Sequence, residues 1–144
     1  MDKILVDTNI VIDLLAKRDK FLTEAQELFT LSDRKKVKLY VSSLTFANTH
    51  YILSQSLKIE NSRKILRRFK VLVDVLPMDD KIIDLSLDSE FKDFEDAIQY
   101  FSAVQLGDID IITTRDIKDF KKSELPVLSP ETTVKLLMKE NPNW

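Results

Sequence analysis

The stretch Lys3-Ile4-Leu5-Val6-Asp7-Thr8-Asn9-Ile10-Val11-Ile12-Asp13-Leu14-Leu15 decides the fold. A short apolar run ends in the polar triplet Asp7-Thr8-Asn9. Apolar residues then resume at helical spacing as Ile10, Val11, Leu14 and Leu15, which predicts a strand followed at once by a helix. The same alternation continues outward. A helix is expected over residues 21–31, carrying Leu22, Ala25, Leu28 and Phe29, and a strand over Lys38-Leu39-Tyr40-Val41-Ser42. Ser42 or Ser43 caps a third helix that bears Leu44, Ala47, Tyr51 and Leu57. A cap near Asn61-Ser62 begins a basic helix over 63–71, with Ile65, Leu66 and Phe69 toward the core.

Val73-Asp74-Val75-Leu76-Pro77 alternates as a strand does, and Pro77 closes it. A short amphipathic helix over 79–87 follows. The helix over 94–106 sets Ala97, Ile98, Phe101 and Val104 on one stripe, and Gly107 ends it. Strands over 110–113 and 126–129 complete the set, and Pro130 opens a last helix over 131–138. Strands alternating with helices require crossover connections, so the expected fold is a three-layer α/β/α sandwich around a central parallel sheet. One domain covers residues 1–140, and 141–144 is expected to be a loose tail.

Composition narrows the chemistry. The 144 residues are 44% hydrophobic, enough for one well-buried core. No apolar run reaches the roughly 20 residues that cross a bilayer, and the opening residues lack the long apolar stretch of a signal peptide, so a cytoplasmic protein without a membrane role is expected. There is no cysteine, one histidine (His50) and one glycine (Gly107). Thiolate and multi-imidazole chemistry, a Walker loop and a dinucleotide fingerprint are therefore all excluded. Twenty-two basic and 24 acidic residues give a net charge of −2, which argues against a nucleic-acid coat protein but not against a nuclease with a local acidic pocket. Carboxylates have to carry the chemistry.

Three acidic clusters fall where an open parallel sheet builds its sites, beyond the carboxyl ends of its strands. Asp7 follows the first strand directly; it either caps the next helix or projects into the crevice. Asp93, Glu95 and Asp96 crowd the first turn of the 94–106 helix, where negative charge complements the dipole. Asp96 also abuts Ala97 and Ile98 on a face that reads as buried, where an acid needs a partner. Asp116 and Asp119 follow the strand at 110–113, behind the hydroxyls Thr113 and Thr114, either as a charged turn or as metal ligands and their supports. Carboxylates gathered without imidazole or thiolate favour a hard cation, Mg2+ or Mn2+, and phosphodiester hydrolysis is the natural reaction for such a site.

These segments resemble the PIN-domain family, including its VapC-type toxin ribonucleases. Ile4-Leu5-Val6-Asp7-Thr8-Asn9 through Leu15 is similar to the amino-terminal signature, Val41-Ser42-Ser43-Leu44-Thr45-Phe46-Ala47-Asn48 to the second block, residues Asp93 to Tyr100 to the third, and Ile112 to Phe120 to the fourth. The resemblance implies an α/β/α fold, Mg2+ or Mn2+ dependence, endoribonuclease activity and a homodimer. It assigns catalysis and metal binding to Asp7, Asp96 and Asp116, with Asp119 as further ligand and Thr8, Asn9 and Thr114 as orienting groups. One departure stands out. The second block usually supplies a glutamate where this chain has Asn48, so Glu95 compensates as a ligand or metal binding is weakened.

Arg115 and Lys118, beside the last acids, are candidates to hold substrate phosphate. RNA is the expected substrate, and an antitoxin the partner of a toxin-like protein. A catalytically weakened RNA- or protein-binding module is the alternative that Asn48 raises. A phosphate-transfer domain with Asp7 as nucleophile lacks its second aspartate, because Asn9 stands there.

Overall fold

Alternation along the strands decides what lies on each side of the sheet. The computed structural model describes residues 1–144. Strands β1 (Lys3–Val6), β2 (Lys38–Ser42), β3 (Asp74–Leu76), β4 (Ile111–Thr113) and β5 (Val127–Leu128) pair in parallel in the order β3-β2-β1-β4-β5. Around them run α1 (Thr8–Leu15), α2 (Asp19–Asp33), α3 (Ser43–Ser54), α4 (Ile59–Phe69), α5 (Asp80–Leu87), α6 (Phe94–Leu106) and α7 (Pro130–Glu140). None of these helices is long and apolar enough to cross a membrane.

Successive side chains of a strand point to opposite faces. Ile4, Val6, Leu39, Val41 and Ile111 therefore join Ile10, Val11, Leu28, Phe29 and Leu137 in the larger core, against α1, α2 and α7. Leu5, Tyr40 and Ile112 face the other way, onto Tyr100 and Ala103 of α6 and onto Phe120. The expected three-layer α/β/α sandwich with a parallel sheet is the observed architecture. β2 and β3 lie on one side of β1, and β4 and β5 on the other. The chain therefore reverses its direction of travel across the sheet at β1/β4, and a crevice opens beyond their carboxyl ends.

Several local expectations need correction. Helix α4 starts at Ile59 after Lys58, not at a cap near Asn61-Ser62. Ser62 is instead buried and accepts a hydrogen bond at 3.1 Å from the Ser54 hydroxyl of α3, so its side chain serves helix packing. In α3 the buried face is Thr45, Thr49 and Leu53, whereas Tyr51 is 67% exposed. In α6 the buried face carries Asp96, Gln99 and Ser102 beside Ala97, Ile98, Tyr100 and Ala103, and Val104 is exposed. The burial of Asp96 is as expected, whereas hydropathy alone does not place Thr45, Thr49, Gln99 and Ser102 inside. The final residues do not trail away: the Trp144 ring packs against the larger core and lies 6.0 Å beneath the Lys36 ammonium, and the Trp144 backbone N–H donates to the Asn141 carbonyl.

Candidate active site

Asp7 occupies the cap position of α1 in extended backbone geometry but makes no side-chain capping bond. Its carboxylate is committed elsewhere. Oδ1 accepts from Gln99 Nε2 at 2.9 Å, and Oδ2 accepts from Thr114 Oγ1 at 2.7 Å. Both donors are neutral, and Asp7 is only 5% exposed. Burial pushes its pKa up and the charge of Glu95 pushes the same way, while the Thr114 and Gln99 hydrogen bonds hold it down. Each carboxylate oxygen keeps a second lone pair for another ligand.

Gln99 sets this arrangement and was not foreseen. Its Oε1 accepts from the Thr8 backbone N–H at 3.0 Å, so it caps α1 from a distant helix while its amide donates to Asp7. The Thr8 hydroxyl lies 2.8 Å from that of Thr45, which ties α1 to α3. The available signal was spacing: Gln99 comes three residues after Asp96, on the same face of a helix. A long polar side chain on a buried stripe needs partners, and here they are the site itself.

Asp93, expected only to complement the dipole of this helix, caps α6 by accepting from the Asp96 N–H at 3.0 Å. Asp96 is 9% exposed, and its carboxylate accepts no hydrogen bond from the protein. Burial, then the charges of Asp7, Asp93, Asp119 and Glu95, push its pKa up to about 8. With no cation beside it, Asp96 holds a proton at neutral pH.

Beyond β4, the Thr114 hydroxyl accepts from the Asp116 N–H at 3.0 Å while it donates to Asp7. Asn9 donates to Asp116 Oδ2 at 3.2 Å, and its own buried Oδ1 has no partner. Asp116 is therefore wired to Asp7 through Thr114, and to Asn9. Arg115 is not available for phosphate in this arrangement. Its Nε and Nη2 reach the buried Asp13 carboxylate at 2.6 and 3.3 Å, and its guanidinium lies 3.9 Å over the ring of Phe21. Arg18, which shares Asp13 at 3.9 Å and is 45% exposed, is the cation that lines the pocket.

Asp7, Thr8, Asn9, Asn48, Glu95, Asp96, Asp116 and Asp119 surround one open pocket of about 400 Å³ at the carboxyl ends of β1 and β4, together with Asp93, Arg18 and Tyr51. Thr114 supports it from below, and Lys118 lies in an adjoining groove. Six acids thus face one arginine across this pocket, an unfavourable balance that a cation relieves. As the side chains lie, no three carboxylates stand close enough together to form a ready ligand set. The donors nevertheless suit a hard cation in kind: all are oxygens, Asp7 has free lone pairs, Asp96 has no partner, and the Asn9 carbonyl is buried and unsatisfied. Asp116 and Asp119 are exposed.

A parallel sheet reversing at β1/β4, with acids at that reversal, defines an α/β/α protein with an acidic strand-end site. Its family follows from comparison with known proteins: the PIN domain family model matches residues 3–118, and the chain belongs to that family. Within it the chain is VapC-like. It is 30% identical over 141 residues to Ribonuclease VapC1 of Aquifex aeolicus (strain VF5), spanning 90% of this chain and 92% of that protein. Among solved structures it resembles VapBC2 of Rickettsia felis bound to a DNA fragment from its promoter, with a TM-score of 0.64, 19% identity, and coverage of 88% of this chain and 97% of that one. It also resembles a toxin-antitoxin complex from Klebsiella pneumoniae, with a TM-score of 0.62, 25% identity, and coverage of 88% and 96%.

Proposed function

We propose that this chain is an endoribonuclease that hydrolyses RNA phosphodiester bonds with Mg2+ or Mn2+, and that it is the toxin of a toxin-antitoxin pair. The observation that carries this reading is the pair Asp7 and Asp96, buried together with raised pKa values and no basic partner for either carboxylate. A bound cation supplies Lewis acidity at a phosphoryl oxygen and acidifies water. Asp7, Asp96 and Asp116 are the residues to hold it, with Asp119 and Glu95 completing the set. Gln99 and Thr114 fix the orientation of Asp7. Asp96 would give up its proton to hold such a cation, because a carboxylate ligates in its charged form.

Similarity over nearly the whole chain to a VapC ribonuclease supports the activity, and similarity to toxin-antitoxin structures supports an antitoxin partner. A homodimer is the proposed assembly; the adjacent helices α5 and α6 expose Leu87, Val104 and Leu106. The proposed location is the cytoplasm. Cleavage of mixed RNA in the presence of Mn2+, abolished by EDTA and by Asp96→Asn, tests the reading. EDTA-insensitive cleavage retained by both Asp7→Asn and Asp96→Asn sinks it.

Asn48 on the pocket wall favours a second reading, a binding module that has lost its chemistry. Calorimetry separates the two. A stoichiometric Mn2+ site counts for the nuclease, and its absence together with retained RNA binding counts for the module.

A further inference from the structure

The acidic pocket does not end at Asp93 and Asp119. Both residues also line a second, larger groove of about 700 Å³, whose other walls are Lys92, Lys118, Lys121 and Lys122 with Glu90 and Phe91. One side of this groove is the segment between α5 and α6, and the other is the segment after β4. Two contacts hold the sides in register. Phe91 packs edge-on against Phe120 with ring centroids 6.1 Å apart, and Lys122 pairs with Glu90 at 3.1 Å. Phe91 also packs on Tyr100 and Phe101, which anchors the groove floor to α6. Lys92, Lys118 and Lys121 enter no ion pair and are exposed.

Three uncommitted ammonium groups on a rigid floor, adjoining a pocket of opposite sign, form an uneven electrostatic surface. The acids by themselves repel a phosphate, so affinity for a polyanion has to come from elsewhere. The groove is the adjoining source. We propose that Lys92, Lys118 and Lys121 form a track for the backbone phosphates of single-stranded RNA, on one side of the bond presented to Asp7 and Asp96. This deepens the nuclease reading and rests on it for the scissile bond. Lysines with no planar or base-edge partner read charge, so the track contributes affinity and registration without sequence preference.

The test is the salt dependence of binding of a single-stranded RNA oligonucleotide, followed by fluorescence anisotropy on the full chain in the Asp96→Asn background. For single strands the slope of log K against log salt is about −0.7 per neutralised phosphate. Replacing Lys92, Lys118 and Lys121 by Gln is expected to flatten the slope by about 2, so that a fourfold rise in salt costs about 20-fold less affinity than in the parent. Replacing Arg63, Lys64 and Arg67 of α4 by Gln is expected to leave the slope unchanged. An unchanged slope in the groove variant, or an equal loss in the α4 variant, overturns the track. So does a groove variant that loses a polyglutamate peptide of matched charge but keeps its RNA, because the groove is then a protein-docking surface. The two readings fail separately. A wild-type chain that binds RNA through the groove but cleaves nothing refutes the nuclease; one that cleaves with a groove-independent slope refutes the track alone.

Discussion

Two buried aspartates of the same strand-to-helix segment have opposite surroundings. Asp13 is 1% exposed and is answered by two arginines, Arg115 at 2.6 Å and Arg18 at 3.9 Å. Asp7 is 5% exposed and is answered only by an amide and a hydroxyl. A carboxylate near a helix C-terminus is disfavoured by the dipole as well as by burial, so Asp13 is tolerated because its charge is cancelled on the spot. The resulting bridge pins the segment after β4 to α1 and Phe21, which sets where Asp116 and Asp119 begin. Asp7 has no such countercharge at the open end of the sheet. The first aspartate is completed by the protein; on the proposed function the second is completed by a cation.

Removing the charge from each should separate the two roles. Asp7→Asn keeps the shape and both neighbours of the side chain, so the fold is expected to hold in thermal melts. RNA cleavage should fall by more than about 100-fold, since even outer groups of a metal site are worth about 10- to 100-fold. Asp7→Asn with cleavage intact breaks the comparison at its functional end.

Arg115→Ala leaves Asp13 buried with only the more distant Arg18. Breaking a buried pair from one side costs about 3–5 kcal/mol, and about 3 is expected because Arg18 remains. Denaturant unfolding measures it. Arg115→Lys should recover less than half, because an ammonium cannot reproduce the two-pronged contact and the stacking on Phe21. A variant as stable as the parent would mean that Asp13 does not need its partner.

The strand of the apolar run 3–6 and the 94–106 extent of α6, ended by Gly107, were legible because each depends on neighbours in the chain. Parallel pairing then follows from connectivity, and with it the placement of Asp7, Asp96, Asp116 and Asp119 on one pocket. What the sequence hid is set by partners far away in the chain. Arg115 reads as a phosphate ligand until Asp13 and Phe21 are seen to hold it. Gln99 carries no reading in the sequence, and its role shows only when its amide is seen between Thr8 and Asp7. The misplaced start of α4 and the docked Trp144 have the same origin, since local propensity says nothing of Ser54 or of the core beneath the tail.

Asp96 sharpens the contrast through pH. In the folded chain it keeps its proton up to about pH 8, whereas the ordinary value of 3.8 applies once the chain unfolds. Between those limits the folded state binds more protons, so stability is highest at the acidic end and falls as pH rises through the window. Asp96→Asn removes the dependence. At pH 8 it is expected to raise Tm by roughly 3–6 °C, about 1–2 kcal/mol once solvent screening from the open pocket is allowed for, and near pH 4 to do almost nothing. Millimolar Mn2+ should stabilise the wild-type chain at pH 8 in the same direction by mass action. A flat Tm profile in the wild type would show that Asp96 is already neutralised within the protein.

Asn48→Glu adds the acid that the pocket lacks, and it makes the smallest change. By the logic of Asp7, a further carboxylate without an arginine is a liability in metal-free protein and an asset with a cation. The expected signature is therefore a crossing. Tm without metal falls by a few degrees, while Mn2+ affinity by calorimetry and the cleavage rate rise by up to about tenfold. By the logic of Asp13 the new acid would instead pair with Arg18 at the pocket mouth, raise metal-free stability and leave Mn2+ binding unchanged. The sign of the metal-free Tm change decides which aspartate the pocket at Asn48 resembles.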